Sequence, residues 1–232
     1  MARMRAVRPR PVARPGRAED DECTNGERIA GLVLAAGAGR RFGGPKQLAP
    51  LDGRPLLEHA LAAMAAALPA FAVVLGARAE EIAGGVDLHG GEVVVAADWQ
   101  EGLAASLRAG VAALAPRADA IVVTLGDQPR LRSEAIVRVA AVMTDGGAAD
   151  GGAARGGGGG AAGGPSFPAA RAVYRDGPGH PVLLRRELFA AVAELRGDAG
   201  ARELLAAVTV APVPFDGDRS RDVDTPADLR TV

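Results

Sequence analysis

The 232-residue chain is 48% hydrophobic and 24% charged, an ordinary globular balance with enough length for one large domain or two small ones. A net charge of -1 gives no global attraction to nucleic acid or an anionic membrane, and 3% aromatic content argues against a base-stacking surface. The single cysteine, Cys23, excludes an intramolecular disulfide framework and a cysteine zinc cluster, which suits a reducing cytoplasm.

Residues 1–28 are rich in arginine and proline, then acidic, with no apolar periodicity. No continuous apolar segment follows the positive start, so a signal peptide is not expected, and the stretch reads as a disordered tail. From Ile29 onward two periods alternate. The runs "RIAGLVLAAG", "FAVVLGA", "GEVVVAAD" and "DAIVVTLGD" are short and largely β-branched, as buried strands are. Between and after them, "PLLEHALAAMAAAL" from Pro55, "EGLAASLRAGVAALA" from Glu101 and "SEAIVRVAAVM" from Ser133 have helical patterns. Pro55 suits a first helical turn, and Ser133 suits an N-cap.

Residues 146–165 are almost entirely glycine and alanine, with little to bury, and read as a flexible insertion. Beyond them lie "AARAVYRDGPGHPVLL", helices in "RELFAAVAELRG" and "GARELLAAV", a strand in "VTVAPVPF" and the ending "DVDTPADL". Residues 29–232 therefore read as one domain carrying one insertion. Strands alternating with helices predict a mostly parallel sheet covered on both faces, with ligands bound beyond the carboxyl ends of the strands.

At the first such end, Gly37-Ala38-Gly39 runs into Arg40, Arg41 and Lys46. Glycines let an anion approach backbone N–H groups, and nearby cations neutralise phosphate charge. Two familiar phosphate loops do not fit. A Walker loop requires Gly-Lys-Ser/Thr, whereas Pro45 precedes Lys46 and Gln47 follows it; the dinucleotide fingerprint requires a third glycine where Phe42 stands.

In "IVVTLGDQPRL" an apolar strand delivers Asp127 to its carboxyl end, a natural position for a hard-cation ligand and equally for a turn-forming aspartate. In "RDVDTPADL", Thr225 as N-cap, Pro226 at the first helical position and Asp228 predict a helix start, leaving Asp224 just outside it. If those two segments are neighbours in space, Asp127 and Asp224 can share one metal.

The pattern Leu34-Ala35-Ala36-Gly37, then Gly39-Arg40, Gly43 and Lys46, resembles the nucleotide-binding signature of the MobA-like nucleotidyltransferases. "LGDQP", "EGLAASLRAGV", "GPGHPVLL", "RGDAGARELL" and "DVDTPADL" look most like the molybdenum cofactor cytidylyltransferases within that group, and the likeness spans residues 29–229 apart from the insertion. The resemblance implies a three-layer, Rossmann-like nucleotidyltransferase fold. It also implies a reaction in which an acceptor phosphate attacks the α-phosphorus of a nucleoside triphosphate and expels pyrophosphate.

Carried over by motif, Leu34, Ala35, Ala36, Gly37, Ala38 and Gly39 would hold the nucleotide, and Arg40 and Lys46 its triphosphate. Asp127 and Asp224 would hold Mg²⁺, with Arg40, Lys46 and Asp127 as the catalytic group. Ala36 stands where guanylyl-transferring relatives usually have glycine, so the resemblance favours CTP over GTP. Ser106 matches a base-contacting position, although a helix serine also faces solvent or bonds back to its own backbone.

Gly179 and His180 are expected to shape an acceptor pocket, with molybdopterin as the acceptor candidate and a molybdoenzyme as a candidate partner. Trp99 is open to two readings, a wall of that pocket or a half-buried core residue; His59 and His89 read as structural or solvated. The opening "PKQLAPLDGRPLLEHAL" also resembles the isoprenoid-pathway cytidylyltransferases, making methylerythritol phosphate a rival acceptor, but "GDQP" stands where that family has an Asp-Ala-Ala-Arg-Pro type segment. A sugar phosphate is a third acceptor candidate, and a nucleotide-binding maturation partner without turnover is a rival of a different class. No nucleic acid or membrane partner is expected, and the location implied is the cytoplasm.

Overall fold

The computed structural model describes residues 28–143, 167–198 and 200–232. The glycine-rich insertion and all of the amino-terminal tail except Arg28 lie outside the described residues. Arg28 is fastened to the fold, its backbone N–H and guanidinium donating to the Asp119 carboxylate at 3.0–3.2 Å.

Apolar runs without alternation form strands buried on both faces. They are β1 (Ile29–Leu34), β4 (Phe71–Leu75) and β6 (Ala120–Leu125); with β5 (Glu92–Val95), a partly exposed edge strand, they join in parallel in the order β5-β4-β1-β6. Two short segments, β2 (Pro50–Leu51) and β3 (Arg54–Pro55), pair separately as a small hairpin. "AARAVYRDGPGHPVLL" forms the antiparallel pair β7 (Ala169–Tyr174) and β8 (Gly177–Arg185); β8 joins β6 antiparallel, and β9 (Val210–Pro214) adds to β7 in parallel. The seven-stranded sheet is thus mostly parallel, as expected.

Helices α1 (Leu56–Ala67), α2 (Ala79–Gly85) and α4 (Ser133–Ala141) cover one face, where Leu57, Leu61, Met64, Ile82 and Ile136 pack on Val33, Val73 and Val122. Helices α3 (Leu103–Leu114), α5 (Phe189–Glu194) and α6 (Ala201–Ala206) cover the other, where Leu107, Val111, Leu114, Val192 and Leu204 meet Leu32, Val74 and Ile121. The alternation of strand residues between these two clusters follows the two-residue period of the pleat. Gly110 allows α3 to lie close to the sheet, since a Cβ there would come within 2.5 Å of Leu32.

Three boundary expectations need correction. Pro55 ends β3 and precedes α1 instead of opening its first turn. Ser133 is the first residue of α4, after Arg132, and makes no capping hydrogen bond. The expected helix at "DTPADL" is only a single 3-10 turn at Asp228–Arg230. There Thr225 does not cap a helix; its N–H and hydroxyl donate to the Asp228 carboxylate at 2.7 and 2.9 Å. With so few apolar residues after Val223, nothing favours a longer helix.

The carboxyl ends of β1, β4, β5 and β6 share one rim. Because β8 runs the other way and reaches Val123 only at Val182, its opening residues, including His180, extend along that same rim. Among the described residues no helix is long and apolar enough to cross a membrane.

Candidate active site

The turn after β1 is closed by backbone. The Gly39 carbonyl accepts from Phe42, Gly43 and Gly44 N–H at 2.9, 3.0 and 3.3 Å. Gly39 has φ +65°, and a Cβ there would stand 2.0 Å from the Gly44 carbonyl oxygen, so glycine is required on two counts. Gln47 is a residue that sequence reasoning misses. Its buried amide donates to the Ala35 and Gly37 carbonyls at 2.7 and 2.8 Å, fixing the strand end from below.

Beside this turn, Lys46 Nζ donates to Asp127 Oδ2 at 2.7 Å, to Asp224 Oδ1 at 3.0 Å and to the Val223 carbonyl at 2.9 Å. The carboxyl-terminal segment is held there by Val223, whose side chain is fully buried and whose N–H donates to the Asp127 carbonyl at 3.0 Å. Asp228 accepts from the Asp224 N–H at 3.0 Å, and Arg41 closes on Asp224 Oδ2 at 3.0 Å. Burial pulls the Lys46 pKa down, but the charges and hydrogen bonds of Asp127 and Asp224 outweigh it, so the ammonium is raised above its ordinary value. Burial pushes the Asp127 carboxyl up, against the pull of Lys46.

A cavity of about 480 Å³ opens above these groups. Its lining includes Leu34, Ala35, Ala36, Gly37, Ala38, Arg40, Lys46, Ser106 and Asp127, nearly all of the residues expected to hold a nucleotide. Gly39 supports the turn without lining the cavity, and Asp224 reaches Lys46 from beside it. Ser106 is buried on α3 and borders the cavity, so it is not a solvent-facing helix serine. Trp99, in a 3-10 turn, walls this cavity and not the one beside His180, with its Cβ against Gly76.

Gln100 and Asp198, neither expected, complete the rim of the cavity. The Asp198 loop is tied down by Glu101, which accepts from Arg108 at 2.5 and 2.9 Å and from the Gly197 N–H at 3.2 Å; these bonds hold the Glu101 carboxyl down to about 2.

A second cavity, also of about 480 Å³, adjoins the first across the turn at Asp127 and Gln128. Gly179 and His180 line it together with Gln128, Arg171, Arg219, Arg221 and Asp222. Gln128 donates to Asp222 at 2.7 Å and lies 3.4 Å from His180 Nδ1. Burial pushes the His180 imidazole down to about 4, leaving it neutral near pH 7. His59, by contrast, is buried away from both cavities, with Nε2 2.9 Å from the Leu51 carbonyl, and His89 sits in a left-handed turn at φ 50°.

Among the described residues no group of three or more histidine, cysteine or carboxylate side chains is arranged to hold a metal. The donors that are present suit a hard divalent cation that takes most of its ligands from elsewhere. Asp127 Oδ1 is buried and accepts no hydrogen bond, and Asp224 lies across Lys46 from it. One or two carboxylates completed by substrate phosphates and water is the usual binding mode of such cations.

An open sheet with a glycine turn, a half-buried lysine between two carboxylates and a cavity at one rim defines an α/β nucleotide-binding protein of the nucleotidyltransferase class. The model of the MobA-like NTP transferase domain matches residues 31–213, and the chain belongs to that family. Nicotine blue oxidoreductase of Paenarthrobacter nicotinovorans is 36% identical over 180 residues, covering 76% of this chain and 81% of that protein. The crystal structure of Rv0371c from Mycobacterium tuberculosis superposes with a TM-score of 0.74 at 33% identity, covering 88% of this chain and 96% of that one. A structure of Rv0371c in complex with manganese gives 0.70 at 31% identity, covering 88% and 97%.

Proposed function

We propose that this nucleotidyltransferase moves CMP from CTP onto a phosphorylated acceptor, with molybdopterin the leading acceptor candidate, and releases pyrophosphate in the cytoplasm. The observation that carries the reading is the convergence of Lys46, Asp127 and Asp224 beside the glycine turn, with Lys46 Nζ 2.7 and 3.0 Å from the two carboxylates.

In this reading the backbone from Leu34 to Gly39 cradles the nucleotide, and Arg40 with Lys46 neutralises the triphosphate and the charge that grows on the leaving pyrophosphate. Ser106 and Ala36 border the base, and the Ala36 methyl narrows the space beside it in favour of a pyrimidine. Asp127 and Asp224 would hold a divalent cation, Mg²⁺ by preference, which supplies Lewis-acid stabilisation and alignment of phosphate oxygens. The manganese complex of Rv0371c is consistent with that class of ion. Gly179 and His180 would shape the acceptor side. The acceptor phosphate is already ionised, so no general base is required, and catalysis rests on position and charge.

The oxidoreductase name of one relative raises a second reading, in which the first cavity holds a redox cofactor. Phe42 in place of the third fingerprint glycine, and a lysine locked between two carboxylates, weigh toward a triphosphate.

One panel separates the readings. Each ribonucleoside triphosphate is paired with molybdopterin, methylerythritol phosphate and sugar phosphates, and pyrophosphate release is followed with Mg²⁺ or Mn²⁺. Oxidation of NADH and NADPH is followed in parallel. Release that requires CTP and molybdopterin supports the proposal; CTP with another acceptor overturns molybdopterin; nicotinamide oxidation without pyrophosphate favours the rival. Nucleotide-dependent thermal stabilisation with neither reaction marks a binding-only maturation partner.

A further inference from the structure

The second cavity contains chemistry that the nucleotide site does not use. Arg171, Arg219 and Arg221 line it against a single carboxylate, Asp222, which is occupied by the Gln128 amide at 2.7 Å. Arg219 is paired outward with Asp176 at 3.1 Å. Arg171 and Arg221 form no ion pair with any described carboxylate. The Arg171 guanidinium is aimed by two backbone carbonyls, Nε donating to Gly179 at 3.2 Å and Nη2 to Pro178 at 3.5 Å, which leaves its Nη1 group for another acceptor. Burial and the nearby charges of Arg202 and Arg219 pull its pKa below the ordinary value, so a bound anion would relieve both stresses.

From this cluster we infer that the second cavity is the subsite for a phosphate monoester, gripped by Arg171 and Arg221, and that it receives the acceptor. The planar fork of arginine matches phosphate oxygens in pairs, which favours phosphate over a simple point-charge attraction. The neutral His180 and the Gln128 amide add polar contacts at the same wall without adding charge. Gln128 directly follows Asp127, so an anion held here lies next to the turn where the nucleotide reading places the reacting phosphorus. The assignment to an acceptor therefore rests on that reading, whereas the binding of phosphate does not.

The test uses inorganic phosphate as probe, measured by titration calorimetry on the full chain saturated with CTP and Mg²⁺, so that phosphate sites at the glycine turn are filled. CTP binding is measured first and independently reports on the nucleotide site. We expect phosphate to bind the CTP-loaded protein, and Arg171→Gln and Arg221→Gln each to weaken it by about tenfold or more, with CTP affinity unchanged. In turnover, the same variants should raise the acceptor KM and leave the CTP KM alone. Arg221 lies on an exposed loop, so its variant remains informative if Arg171→Gln folds poorly. Phosphate binding that CTP abolishes, or that neither variant weakens, overturns the subsite.

Discussion

Lys46 Nζ stands 2.7 Å from Asp127 Oδ2 although 81 residues separate the two in sequence. The pair is partly sheltered, with side chains 14% and 21% exposed, so its charge is neither fully solvated nor left alone. Replacing Lys46 by methionine keeps the aliphatic stem but removes the cation from both carboxylates. We expect turnover to fall by about a hundredfold or more, the scale of losing one charged contact to a phosphoryl transition state. Stability should fall on the order of 2 kcal/mol as Asp127 loses its charged donor. Steady-state pyrophosphate release and urea unfolding check the two effects; a well-folded K46M protein with near-normal turnover would remove Lys46 from the site.

Asp224 tests the other side of the same contact. It sits outside regular structure and is aimed by Asp228 and held by Arg41. Asp224→Asn preserves shape and removes charge. We expect a rise in the divalent-ion concentration needed for half-maximal turnover, with little change in melting temperature because the side chain is 35% exposed. An unchanged metal requirement would leave Asp224 as a partner of Lys46 alone.

Gln47 makes the nucleotide turn a rigid object. Its amide is buried, and both N–H groups are engaged by the Ala35 and Gly37 carbonyls. Gln47→Leu would leave two carbonyls without that donor, costing about 1–3 kcal/mol. CTP affinity should drop along with stability, since the strand end that lines the cavity is no longer fixed. Calorimetric CTP titration of Q47L beside its unfolding curve checks this, and undiminished affinity in a destabilised protein would separate the turn from nucleotide binding.

Much of the architecture is legible in the sequence because the parallel strands are unbroken apolar runs, and such runs have few competing structures. The meeting of Lys46, Asp127 and Asp224 is foreseeable because each stands beside a strand end or terminal motif. Other features leave no such trace. Gln47 in a turn looks like any solvated amide until the chain folds over it. Arg171 lies in a strand whose pattern says only that it is half-buried, and its proximity to Arg221 is created by the antiparallel return of β8 and the long carboxyl-terminal segment. "DTPADL" resembles a helix start because capping residues are local, while continuing a helix requires an apolar face that these last residues lack.

His180 gives the fold a pH dependence of predictable sign. Burial lowers its pKa from an ordinary 6.5 to about 4, opposed by Asp222 and reinforced by Arg171. Above pH 6.5 the imidazole is neutral in both folded and unfolded chains, and its titration contributes no penalty. As pH falls from 6.5 toward 4, the unfolded chain takes up a proton that the folded protein refuses, so stability declines through that window, by a total on the order of 3 kcal/mol. Below about 4 the folded protein is protonated too, and this contribution levels off. His180→Gln cannot take up that proton. We therefore expect the stability of H180Q, followed by urea unfolding across this range, to change less with pH than that of the unaltered protein. The comparison is of slopes, so any constant loss from altered packing drops out. Parallel curves for the two proteins would mean that His180 titrates alike in the folded and unfolded chain, contrary to its burial between Gln128 and the arginine-lined cavity.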